Sequence, residues 1–96
     1  MRESDFQSRV IKWLKEQGCY VIKNTAQPGV PVGCPDIFFC KGRTYGFLEI
    51  KPSATATFQP LQKATLEKLS AWTYAKATYP EIWADTQKEL VLLLSE

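Results

Sequence analysis

The sequence predicts an α/β domain: a central mixed β-sheet flanked by helices, in the order α-β-β-β-α-β-α. Three observations carry this. The first 17 residues place apolar side chains at helical spacing, two apolar runs flank Lys41-Gly42-Arg43-Thr44, and a second helical stretch precedes a short β-forming segment and an apolar tail. A length of 96 residues points to one domain over residues 1–96, small enough for oligomerisation to help its core.

The first helix is expected from about Glu3 to Gln17, because Phe6, Val10, Trp13 and Leu14 share one side and Gly18 is a plausible stop. Cys19 to Lys23 is short and rich in β-formers, so it reads as a strand. Pro28, Gly29, Pro31, Gly33 and Pro35 then break the chain, making Asn24 to Pro35 a long loop of the kind that often carries function. Asp36–Cys40 and Tyr45–Lys51 form a β-hairpin, with Gly42 suited to the first position of a type II′ turn. After a loop over Pro52–Thr57, a helix starts at Gln59 or Pro60 and reaches about Tyr74, with Leu61, Leu66, Leu69 and Trp72 on its apolar side. Lys76–Tyr79 reads as a short strand, and Pro80 as the start of a last helix. Leu90-Val91-Leu92-Leu93-Leu94 is apolar nearly all round and is expected in the core, part of it at a dimer interface.

Composition removes several kinds of chemistry. There is no histidine, so Ser-His-Asp and Cys-His machinery is excluded. The three cysteines, Cys19, Cys34 and Cys40, form no CxxC pair, which argues against a disulfide framework and a four-ligand zinc site. Cys34 has no visible base and reads as packing. What remains is carboxylates, lysines, hydroxyls or a hard metal. No apolar run approaches the roughly 20 residues of a membrane helix, and the polar N-terminus has no signal pattern, so an intracellular, cytoplasmic protein is expected. A net charge of +2 does not by itself indicate nucleic acid.

The hairpin makes a geometric prediction. With Gly42 and Arg43 as the two loop residues, counting outward sets Asp36 opposite Glu49, their Cβ atoms about 5 Å apart. Lys51 falls on the same side, with Phe38, Cys40, Tyr45 and Phe47, while Ile37, Phe39, Leu48 and Ile50 fall on the other. Both faces are largely apolar, so both are expected to be covered by helices. Two opposed carboxylates repel and need a cation. Spacing alone leaves two readings, a structural ion pair with Lys51 or a divalent ion such as Mg²⁺.

Gly33-Cys34-Pro35-Asp36-Ile37 followed by Leu48-Glu49-Ile50-Lys51 resembles the PD-(D/E)xK nuclease superfamily, and within it the virus-type replication-repair nuclease (VRR-NUC) family. An early glutamate on the first helix and a Gln-bearing second helix extend the resemblance over nearly the whole chain. It implies a restriction-endonuclease-like sheet and a metal-dependent DNA endonuclease. In that family pattern Asp36, Glu49 and the Ile50 carbonyl hold Mg²⁺ (or Mn²⁺), and Lys51 orients or deprotonates the attacking water. Glu3 supports the metal directly or through water, with Asp5 the weaker candidate. Gln62 lines the site, with Gln59 competing for that role. The resemblance also implies a homodimer acting on branched DNA such as four-way junctions, in a bacterial or phage-infected cell. Lys23, Lys41 and Arg43 are candidate phosphate contacts, but Lys41 and Arg43 sit at the turn, away from the site, and read better as solvated turn charges. Two alternatives stand beside this: an inert nucleic-acid-binding domain on the same fold, and a nuclease acting on RNA or ordinary duplex DNA.

Overall fold

The computed structural model describes residues 2–25 and 27–95. Its elements are α1 (Glu3–Glu16), β1 (Tyr20–Lys23), β2 (Ile37–Lys41), β3 (Thr44–Ile50), α2 (Pro60–Ser70), β4 (Tyr74–Thr78) and α3 (Trp83–Leu94). The order of helices and strands is the expected one. The sheet runs β1-β2-β3-β4; the first three strands are antiparallel and β4 lies parallel to β3. A parallel neighbour needs a crossover, and α2 supplies it.

The hairpin register is the one set by a Gly42-Arg43 loop: Lys41 pairs Thr44, Cys40 pairs Tyr45 and Ile37 pairs Leu48. Gly42 has φ +60°, and no non-glycine among the described residues has a positive φ. That combination is the φ signature of a type II′ turn.

Ile37, Phe39, Leu48 and Ile50 are fully buried and form the core face of the sheet. Phe6, Val10 and Leu14 of α1 and Trp83, Leu90 and Leu94 of α3 complete the same cluster. Trp83 is held edge-on by Phe6 and Trp13, at ring separations of 5.8 and 5.5 Å. Each fully buried large side chain contributes about 1.5–3 kcal/mol of transfer free energy. A buried hydrogen bond of 2.9 Å between the Thr78 and Thr86 hydroxyls ties β4 to α3.

The expectation that helices cover both faces is corrected. On the second face α2 packs against β4 and reaches Glu49 and Lys51 through Gln62. Phe38, Cys40 and Phe47 stay half-buried, and Tyr20, Ile22 and Tyr45 are exposed. One helix cannot span four strands, so the aromatic rings there pack on one another, Phe38 against Phe47 at 5.2 Å.

The second helix ends at Ser70 rather than Tyr74. The N–H groups of Trp72 and Thr73 both turn back to the Leu69 carbonyl, closing the helix. Tyr74 then opens β4, two residues earlier than expected. Trp72, beyond the helix end, is exposed, as is Leu61 in the first turn, and Leu66 is the helix's buried residue. Pro80 begins a short 3-10 turn, Pro80–Ile82, and α3 starts only at Trp83. The apolar tail is divided by its helix: Leu90 and Leu94 are buried, while Val91 and Leu92 are exposed. Among the described residues no helix is long and apolar enough to cross a membrane.

Candidate active site

Asp36 lies in a bend one residue before β2 rather than inside the strand. The pairing of Ile37 with Leu48 nevertheless carries it opposite Glu49. The Ile50 backbone N–H donates to Asp36 Oδ2 at 2.7 Å, a short bond of the kind a charged acceptor makes. A residue's N–H and C=O leave a strand on the same edge, so the Ile50 carbonyl projects to Asp36's side as well.

Glu49 is 2% exposed. Its Oε2 stands 3.9 Å from Lys51 Nζ and 3.5 Å from the donating Nε2 of Gln62. Its Oε1 is buried with no hydrogen-bond partner. Burial pushes the Glu49 carboxyl up to about 8. The hydrogen bond that a protonated Glu49 would make to Asp36 and the charge of Asp36 add to the rise, Lys51 opposes it, and Glu3 adds to it. These observations agree physically. Two ionised carboxylates have no proton to share, so Oε1 is orphaned; a proton shared with Asp36, or a cation, relieves it. The donor set is hard oxygen, which suits Mg²⁺ or Mn²⁺.

Lys51 is also buried, at 7% exposure. Its Nζ donates to Gln62 Oε1 at 2.9 Å and to the Thr57 carbonyl at 3.4 Å, and lies 4.6 Å above the Phe58 ring. Gln62 Oε1 accepts the Gln59 N–H as well, at 3.1 Å, while the Gln59 side chain accepts the Gln62 N–H in a reciprocal capping box. Both glutamines thus cap the start of α2, and Gln62 in addition joins Lys51 to Glu49. Replacing Gln62 by Ala is expected to loosen the helix start by about 1 kcal/mol and to weaken any activity of the site, checked by melting and by cleavage rate on one variant.

A groove of about 500 Å³ opens onto Asp36, lined by Asn24, Gln27, Pro31, Gly33 and Cys34. Gly33 shapes it. Its φ is +88°, and a Cβ there would sit 2.8 Å from the Leu61 backbone in the first turn of α2. The loop before Asp36 can thus lie flat on the helix that carries Gln62. Gly33→Ala is expected to cost about 1–3 kcal/mol from backbone strain alone, seen as a lower melting temperature.

The other candidate residues are spread more widely. Glu3 is exposed in the first turn of α1, and its charge is felt at Glu49. Asp5 faces solvent and pairs with Arg2 at 3.4 Å. Among the described residues no three His, Cys, Asp or Glu side chains gather as a metal cluster, so Glu3 does not join Asp36 and Glu49 directly. Lys23 is exposed at the end of β1 nearest Asp36, whereas Lys41 and Arg43 are exposed at the far turn. Cys34 is half-buried; burial, then Glu49 and Asp36, push its thiol up, which disfavours the thiolate. Sequence reasoning missed Asn24, Thr57 and Phe58, which reach the site from loops. Phe58, the aromatic residue just ahead of the second helix, carried the one available signal. No protein-family model, no curated protein and no solved structure matches this chain.

Proposed function

We propose that this chain is a metal-dependent endonuclease that hydrolyses phosphodiester bonds in DNA. The observation that carries the reading is the orphaned Glu49 Oε1, buried beside a second carboxylate. A buried acceptor without a donor costs about 1–3 kcal/mol; a cation or a proton shared with Asp36 relieves it, and binding alone gives no reason to hold two carboxylates this close. Asp36, Glu49 and the Ile50 carbonyl would hold Mg²⁺ or Mn²⁺, with Glu3 acting through water. When bound, the ion supplies Lewis acidity at the phosphate and lowers the pKa of a water. Lys51 orients that water and balances the negative charge that develops at phosphorus; Gln62 and Thr57 hold its ammonium in place. Lys23 contacts the DNA backbone beside the groove.

The resemblance to VRR-NUC nucleases supports structure-selective cleavage of branched DNA by a homodimer. The uncovered apolar side chains Tyr20, Ile22 and Tyr45, with Val91 and Leu92 on α3, fit self-association. A two-fold dimer presents two sites to a branched substrate of similar symmetry. The test is Mg²⁺-dependent cleavage of duplex, flap and four-way-junction DNA and of matched RNA. Wild type is expected to cut a branched DNA, with Asp36→Ala inactive. Equal nicking by Asp36→Ala would leave only the inert binding domain. Preference for RNA or plain duplex would move the substrate and keep the chemistry.

A further inference from the structure

Asp36 stands just outside the ladder of β2; the register brings it opposite Glu49, but the bonds of the ladder itself do not fix its backbone and carboxylate. Three hydrogen bonds do. The Asn24 backbone N–H donates to the Asp36 carbonyl at 2.7 Å, and the Asn24 side-chain Nδ2 donates to the Pro35 carbonyl at 3.1 Å. The third is the bond from the Ile50 N–H to Asp36 Oδ2.

The first of these extends the β1–β2 pairing one step past Lys23 and Ile37, and any residue other than proline could make it. The second requires a side chain with a donor of the right reach. Its target is well chosen, because Pro35 is fully buried and its carbonyl needs a partner. Each peptide group is a rigid plane. The Pro35 carbonyl belongs to the plane before the Asp36 Cα, and the Asp36 carbonyl to the plane after it. By holding both, Asn24 fixes the backbone torsions at Asp36 and leaves only the side chain to turn. Ile50 then fixes the carboxylate.

We infer that Asn24 is a positioning residue: its side-chain amide, through the Pro35 carbonyl, sets where the Asp36 carboxylate stands for a divalent cation. The cation rests on the nuclease reading above; the hold on Asp36 does not. Partners that orient metal ligands from behind are as much a part of a site as the ligands, and their removal typically costs about 10–100-fold in affinity.

The test uses Asn24→Ala and, as a variant that keeps a short donor, Asn24→Ser. Hydrogen exchange of two neighbouring amides is measured without metal. Ile50 reports on Asp36, whereas Lys51 donates to the Thr78 carbonyl on the opposite edge. Mn²⁺ affinity is then measured directly by electron paramagnetic resonance, at a temperature where all variants are folded. In Asn24→Ala the Ile50 amide is expected to exchange about tenfold faster, the equivalent of one weakened bond, with Lys51 unchanged. Mn²⁺ affinity is expected to fall about tenfold or more, and Asn24→Ser to lie between. Unchanged Ile50 exchange overturns the hold on Asp36. Faster exchange with unaltered Mn²⁺ affinity overturns the positioning role and leaves a loop clamp. A wild type that binds no Mn²⁺ overturns both this role and the metal reading, and it differs from the other outcomes because the failure is already present before any substitution.

Discussion

Replacing Lys51 by Ala is expected to lower the cleavage rate by about 10²–10³-fold while moving the melting temperature by only a few degrees. The rate effect follows from position. Lys51 is buried with its Nζ 3.9 Å from Glu49 Oε2, and its ammonium is aimed by Gln62 and by the Thr57 carbonyl. A charge held in place before the reaction costs no reorganisation when phosphorus gains negative charge. The small stability effect follows from Glu49. Breaking a buried ion pair ordinarily costs about 3–5 kcal/mol, because the surviving partner is stranded as a buried ion. With its carboxyl raised to about 8, Glu49 keeps a proton at neutral pH, so the variant strands a neutral acid instead. Gln62 Oε1 also keeps a donor, the Gln59 N–H. If Lys51 were only a structural ion-pair partner, the pattern would invert: a large fall in melting temperature and a normal rate for the folded fraction. Single-turnover cleavage and thermal melting on one preparation decide between the two.

The part of the site that was legible in the sequence is the part set by local rules. Gly42 fixes the turn, the turn fixes the register, and the register carries Asp36 to Glu49 even though Asp36 lies just outside the strand. Gln62 was legible as a helix residue, but its choice over Gln59 depended on which of the two capping glutamines reaches Lys51 and Glu49, a distinction of one turn of helix. Where tertiary structure overrode periodicity, the reading failed. Trp72 sits at helical spacing from Leu69, yet the chain has already turned toward β4, where Thr73 donates to the Tyr45 carbonyl. The outer sheet face alternates like a buried one, but only one helix was available to cover it. Asn24, Thr57 and Phe58 act on residues 6 to 11 positions away through loops, and no periodic pattern encodes that.

In the metal-free protein, stability is expected to fall as pH rises from about 5 to about 8, and Glu49→Gln is expected to remove most of that slope. Glu49 has an ordinary value of 4.5 and is raised to about 8 in the fold, chiefly by burial and then by Asp36. Above its ordinary value the unfolded chain has released this proton, whereas the folded chain keeps it. The folded state therefore binds more protons across the window, so raising pH favours unfolding. Stability from this group is complete below the unfolded value, is lost as pH rises through the folded value, and stays flat above it. Glu89, which Lys76 and Tyr74 hold below the usual carboxylate range, has the opposite sign and acts below the window. Mg²⁺ competes with the proton for the same oxygens, so its affinity is expected to rise through the same range. The stabilisation by Mg²⁺ is accordingly expected to be larger at about pH 8 than at about pH 6, and to vanish in Glu49→Gln. Melting curves with and without Mg²⁺ at several pH values measure both effects. A flat profile in wild type would mean that Glu49 ionises without penalty, removing the need for a cation at its Oε1. Equal Mg²⁺ stabilisation of Glu49→Gln would place the ion elsewhere.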